Sequence, residues 1–193
     1  MKKLLIGLTG RTGSNEIAGC GKDTVAKIIC KYLSIKSYGF SDPLYEMIKA
    51  GFGIDGKTDE WQDRTRKSSP IDWLSSGDKE VSLRYLLETL GTEWGREMIC
   101  QDLWTRIAKQ KFLESESGLV IRDVRFPNEV DWLDSLGGVL VYIERPNHFN
   151  PEANPDHPSN KPLSKRWFDK VIMNDCDLNT LKSRVIQCLR ELL

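Results

Sequence analysis

The stretch Lys3-Leu4-Leu5-Ile6-Gly7-Leu8, followed after a polar segment by Gly19-Cys20-Gly21-Lys22-Asp23-Thr24, decides the fold. The first piece is apolar without alternation, as a strand buried on both faces must be. From Thr24 onward Val25, Ile28, Ile29 and Leu33 recur at helical spacing, so a helix is expected to about Leu33. A strand, a glycine-rich loop and a helix in that order suit a phosphate. Glycines let backbone N–H groups approach the anion, the helix presents its positive end, and one lysine reaches the outer phosphates. Gly19, Gly21, Lys22, Asp23 and Thr24 are therefore the candidate phosphate-site residues. A glycine-rich connector with a solvated lysine is the plainer reading of the same pattern.

The loop is enlarged. The usual form is Gly, four residues, then Gly-Lys. Here Glu16 stands where the first glycine belongs, and Gly10 lies eleven positions before Gly21 instead of five. Residues 12–17 are then extra. If they bulge outward, Gly10-Arg11-Ala18-Gly19-Cys20-Gly21-Lys22 forms a near-normal cradle; if they fold inward, they block the nucleotide and Glu16 repels phosphate. Asp23 occupies the place of the usual magnesium-binding hydroxyl, which moves that role to Thr24 or to Asp23 itself.

Beyond the loop, strands and helices alternate. Strands are expected over 37–40, 118–121, 139–143 and 170–173. Helices are expected over 42–50, from Ser82 to a stop at Gly91, over 92–100 and 102–113, from an Asn128 cap to Gly137-Gly138, and over 178–193. This alternation predicts an α/β fold with a parallel sheet flanked by helices. The polar stretch of about 53–80 reads as a mobile insertion. The coil of about 146–165, rich in proline and asparagine, reads as a lid. One domain over 1–193 accommodates all of it.

Composition narrows the class. The 28 basic and 28 acidic residues cancel. Zero net charge gives no general attraction to nucleic acid or an anionic membrane surface, so an anion must be held locally. Five cysteines without a Cys-x-x-Cys pair point to reduced thiols. No apolar run approaches the roughly 18–20 residues of a membrane span. A soluble, cytoplasmic protein is expected. His148 and His157 are isolated histidines without metal-ligand spacing. Arg64, Arg66 and Lys67 read as a solvated charge run.

A second constellation follows the apolar run at 119–121: Arg122, Asp123, Arg125 and, one turn on, Glu129. In open parallel sheets ligands bind beyond the carboxyl ends of strands. There an arginine fork grips phosphate and a carboxylate can serve magnesium. A solvated strand end with a surface ion pair fits the same residues.

Two longer pieces carry a resemblance. They are Leu86-Leu87-Glu88-Thr89-Leu90-Gly91-Thr92-Glu93-Trp94-Gly95-Arg96 and Asp123-Val124-Arg125-Phe126-Pro127-Asn128-Glu129. With Ile143-Glu144-Arg145-Pro146 and Val171-Ile172-Met173-Asn174-Asp175 in the same order, the chain resembles the phage deoxynucleoside monophosphate kinases from Ile6 to Leu192. The resemblance implies a P-loop nucleoside-triphosphate hydrolase fold with an acceptor-binding insertion and a lid. It implies transfer of the ATP γ-phosphoryl to a deoxynucleoside monophosphate with Mg²⁺, in the host cytoplasm if the gene is a phage's. By position it places residues 19–24 on the ATP phosphates, and Asn174 and Asp175 beside the adenine. Ser41, Leu44, Tyr45, Arg84, Arg125 and Glu129 fall on the acceptor. Lys22, Arg125 and Arg145 fall on charge neutralisation, and Asp23, Thr24 and Asp123 on the metal. The partners implied are small-molecule substrates, with a homodimer compatible. Another small P-loop kinase with a different acceptor and a non-catalytic nucleotide-binding protein are the alternatives.

Overall fold

Strand β1 runs well past the apolar stretch that announces it, because it has neighbours on both sides. In the computed structural model, which describes residues 3–12, 19–146, 157–161 and 163–193, the elements follow in chain order. They are β1 (Leu4–Thr12), α1 (Lys22–Leu33), β2 (Lys36–Tyr38), α2 (Asp42–Phe52), α3 (Asp59–Gln62), α4 (Arg64–Ser68), α5 (Leu83–Thr89), α6 (Leu103–Glu114), β3 (Gly118–Ile121), α7 (Pro127–Ser135), β4 (Val139–Arg145), β5 (Lys170–Met173) and α8 (Leu178–Leu192). A π-helical segment, Leu90–Ile99, prolongs α5, and short 3₁₀ turns cover Pro158–Asn160 and Lys165–Trp167. The chain divides into two compact units, Met1–Phe40 with Thr105–Leu193, and Ser41–Trp104.

The first unit is a five-stranded parallel sheet in the order β2-β3-β1-β4-β5. Side chains alternate across it. Ile6 and Leu8 join Val25, Ile29, Val120, Ile143, Leu181, Val185 and Leu189 in one core under α1 and α8. Gly7, between them, faces Leu133 of α7, and a Cβ there would collide with that leucine. The sheet is thus covered on both faces, and its central strands carry no polar residue until Thr9. The chain leaves β1 toward one edge and later returns past it to β4. The crevice of such a sheet opens at the carboxyl end of β1.

β1 was expected to end at Leu8. It continues because β4 pairs with it residue for residue, Gly10 opposite Ile143, Arg11 opposite Glu144 and Thr12 opposite Arg145. Gly10 therefore works inside the sheet, where a Cβ would strike the Ile143 carbonyl. Arg11 sits half-buried on the strand, and burial lowers the pKa of its guanidinium. The near-normal cradle starting at Gly10-Arg11 is corrected accordingly. Residues 13–18, most of the extra segment, lie outside the described residues.

The second unit has its own core of Ile48, Ile54, Ile71 and Leu83, with Tyr45, Phe52, Trp61, Leu74, Leu86, Leu87 and Leu90 packed against it. The stretch read as a mobile insertion supplies part of that core. It carries α3, α4 and an antiparallel bridge of Pro70 with Ser82, and the Ile71 N–H donates to the Val81 carbonyl at 2.8 Å. Gly91 does not stop α5. The helix widens instead, ending with the Cys100 N–H donating to Gly95 five residues back at 3.0 Å. The Trp104 indole N–H donates to the Gly91 carbonyl at 2.7 Å, and the lack of a Cβ at Gly95 admits the Trp104 ring.

Candidate active site

Helix α1 begins immediately after Gly21, whose φ of 97° lies in the left-handed region, as does that of Gly19 at 85°. Glycine takes these angles without steric cost, which is what a loop doubling back on itself requires. Gly21 offers no side chain to cap the first turn, and the positive end of α1 lies at the loop. Lys22 is only 8% exposed, and its Nζ donates to the Cys20 thiol at 3.4 Å. Cys20 itself is buried.

Two side chains from neighbouring strand ends hold this loop. The Arg145 Nη1, at the end of β4, donates to the Gly19 carbonyl at 3.1 Å. The Asn174 Nδ2, just past β5, donates to the Cys20 carbonyl at 2.8 Å. Asn174 is fixed by its own N–H, which donates to the Glu144 carbonyl at 2.7 Å. It presses so close to Gly21 that a Cβ there would collide with its amide. Asp175 turns to α8, where Arg184 bonds it at 2.5 Å and also donates to the Met173 carbonyl. The hydrogen bond from Arg184 holds the Asp175 carboxyl below its ordinary range.

Of the expected metal donors, Asp23 is exposed on the first turn of α1 and faces Arg122 Nη1 at 3.7 Å, while Thr24 is half-buried. Asp123 accepts the Phe40 N–H on Oδ1 at 2.7 Å. It stands with Arg122 against Gly39, where a Cβ would lie 3.1 Å from each side chain. Among the described residues no group of three His, Cys, Asp or Glu side chains could enclose a metal. A magnesium ion carried by phosphates and water needs only one or two protein oxygens. Asp23 and Thr24, directly after Lys22, fit that requirement.

Glu129 is 1% exposed, and its Oε2 accepts the N–H groups of Arg125 at 2.6 Å and Phe126 at 3.1 Å. It is the third residue of α7 reaching back to the helix start, half of a capping box. Its carboxylate is thus engaged with backbone. The Arg125 guanidinium, half-buried, has no partner among the described residues.

The other acceptor-side residues belong to the second unit. Ser41 occupies the N-cap position of α2. Leu44 is buried and lies against Gly91. Tyr45 receives a hydrogen bond from Lys67, whose Nζ lies 5.0 Å from the ring centroid. Arg84 donates through Nε to Ser68 at 2.9 Å. Of the expected lid, 147–156 and 162 lie outside the described residues. At its edge the His157 Nδ1 lies 2.7 Å from the Ser159 hydroxyl and accepts that residue's N–H. Sequence reasoning missed two participants, Cys20 as the contact of Lys22 and Arg184 behind Asp175. It singled out Arg122 with Asp123, without its place beside Asp23.

Comparison with known proteins identifies the family. The family described as deoxynucleotide monophosphate kinase matches residues 58–185, more than half of the chain. The deoxynucleoside-5′-monophosphate kinase of Escherichia phage T5 is 26% identical over 243 residues, covering 94% of each chain. A protein of Acanthamoeba polyphaga mimivirus, provisionally named a deoxynucleotide monophosphate kinase, is 29% identical over 204 residues, covering 96% of each. Among solved structures, the dephospho-CoA kinase of Campylobacter jejuni superposes with a TM-score of 0.51 at 12% identity, covering 97% of this chain and 96% of that one. At that identity the likeness speaks for the fold, a P-loop kinase fold. With the family matched across both units, the chain belongs to the deoxynucleotide monophosphate kinase family.

Proposed function

We propose that the chain transfers the γ-phosphoryl group of ATP to the 5′-phosphate of a deoxynucleoside monophosphate, giving the diphosphate and ADP. The observation that carries this reading is the pair of left-handed glycines and the buried lysine opening α1, in a chain of this kinase family. Phosphoryl transfer asks for alignment and charge neutralisation rather than covalent chemistry by the protein. Lys22 neutralises the outer phosphates of ATP, and the N–H groups of the loop and of α1 bind their oxygens. Arg125 supplies its fork to the equatorial oxygens during transfer. Asp23, Thr24 and Asp123 are the chain's candidate oxygen donors for Mg²⁺, which would supply charge neutralisation at the phosphates. Ser41, Tyr45 and Arg84 serve the acceptor, with Leu44 shaping the wall behind them, and Glu129 positions Arg125 through the backbone. The coil of about 146–165 excludes water, which would otherwise divert the phosphoryl group.

The test is ADP formation from ATP and Mg²⁺ with each of the four deoxynucleoside monophosphates, with ribonucleoside monophosphates, and with no acceptor. Diphosphate should form with at least one deoxynucleotide and disappear in Lys22→Ala. Turnover confined to another acceptor class, or none with a folded protein, would overturn the reading.

A further inference from the structure

We infer that Arg145 and Asn174 are positioning residues that clamp the enlarged phosphate loop, turning its N–H groups toward the nucleotide. This rests on the reading of residues 19–22 as the ATP phosphate site. Six extra residues lengthen the tether between β1 and the loop, and a longer tether constrains its ends less. Arg145 compensates for that. Its backbone lies opposite Thr12, the last residue of β1, and its guanidinium holds the carbonyl of Gly19 at 3.1 Å. One residue thus ties both ends of the enlarged segment to β4. Asn174 makes the second tie, at Cys20, from a backbone already anchored to Glu144.

The consequence follows from peptide planarity. No described peptide bond is cis, so the carbonyl and the N–H of each linkage point in opposite directions. With the Gly19 and Cys20 carbonyls drawn to the ends of β4 and β5, the N–H groups of Cys20 and Gly21 face the other way. They lead into the first turn of α1, where Gly21 supplies no side-chain cap. Successive N–H groups so arranged make an anion-binding concavity. Neither side chain need touch the nucleotide to shape it. The clamp gives Arg145 and Asn174 different work from that implied by the resemblance, which placed them at the transferring charge and beside the adenine.

The experiment measures calorimetric binding of ATP, inorganic tripolyphosphate, adenosine and a deoxynucleoside monophosphate to the full chain. Wild type is compared with Asn174→Ala, Arg145→Lys and the double variant, with melting curves as the folding check. Asn174→Ala changes no charge. It should weaken ATP and tripolyphosphate about tenfold, the effect of losing one loop-orienting hydrogen bond, and leave adenosine and the monophosphate unchanged. Arg145→Lys keeps the charge but loses the fork, and should weaken the same two ligands. The double variant should lose less than the product of the two effects, because both act on one loop. Asn174→Ser, too short to reach Cys20, carries the same comparison should the alanine variant fail to fold. Weakened adenosine with unchanged tripolyphosphate would make Asn174 a base contact and overturn the clamp, as would unchanged binding throughout. Wild-type protein that binds neither ATP nor tripolyphosphate would overturn the underlying reading, and the clamp with it.

Discussion

The Glu129 carboxylate accepts the Arg125 N–H at 2.6 Å from a position almost wholly out of solvent. A buried carboxylate receiving two backbone N–H groups fixes the bend between β3 and α7, and so fixes where Arg125 leaves the chain. Glu129→Ala should leave both N–H groups without that acceptor and lower stability by about 2–4 kcal/mol. Glu129→Gln, whose amide oxygen still accepts, should lose clearly less. Urea midpoints of the two variants check this. Equal losses would mean that the carboxylate does not act through the backbone.

Arg125 and Lys22 should fail differently when truncated. Lys22 lies in the nucleotide loop, so Lys22→Ala should weaken ATP binding as well as turnover. Arg125 has no structural partner among the described residues. Arg125→Ala should therefore keep the wild-type melting temperature and ATP affinity while kcat falls by about two orders of magnitude or more. Steady-state kinetics beside a melting curve separates the two. Near-normal kcat in Arg125→Ala would remove it from phosphoryl transfer.

Much of this was legible in the chain, and what was not shares a physical cause. β3 and β5 lie where apolar runs without alternation put them, at Gly118–Ile121 and Lys170–Met173. Lys22 opens α1 because a glycine loop precedes it. The extension of β1 through Thr12 was hidden because its support is the ladder with β4, more than a hundred residues away in sequence. Local pattern cannot report a non-local pairing. Gly91 carries a strong local stop signal, and the packing of Trp104 overrides it. Arg145 and Asn174 were named as candidate site residues, yet their contacts with Gly19 and Cys20 depend on where strand ends meet. Glu129 is the exception. The cap was expected at Asn128, but the helix opens at Pro127 with Asn128 inside it. The reach of Glu129 back to the helix start is a local signal that the sequence reading passed over.

Gly95 should tolerate no side chain. A Cβ there would collide with the Trp104 ring, and the backbone carbonyl of Leu90 stands 2.9 Å away, so neither neighbour yields easily. Overpacking of this kind costs about 1–3 kcal/mol. Gly95→Ala should lower the melting temperature, and the indole displaced from the Gly91 carbonyl should report it as a shift in tryptophan emission. An alanine variant as stable as wild type, with unchanged emission, would show that the Trp104 ring is not packed against this turn.

Asp177 caps α8, accepting the Thr180 hydroxyl at 2.6 Å and the N–H groups of Thr180 and Asn179. The bond from the Thr180 hydroxyl, then those from the two N–H groups, hold its carboxyl below the ordinary range. A carboxyl whose pKa is lower folded than unfolded contributes stability that is complete above its unfolded value, about 3.9, and disappears as pH falls through the folded one. Asp177→Asn should thus be less stable than wild type at neutral pH. The gap should close as pH falls through the folded value, below which both chains lack the charge. Urea denaturation at neutral and acid pH measures it. A gap of constant size across that range would assign the effect to the shape of the cap rather than to its charge.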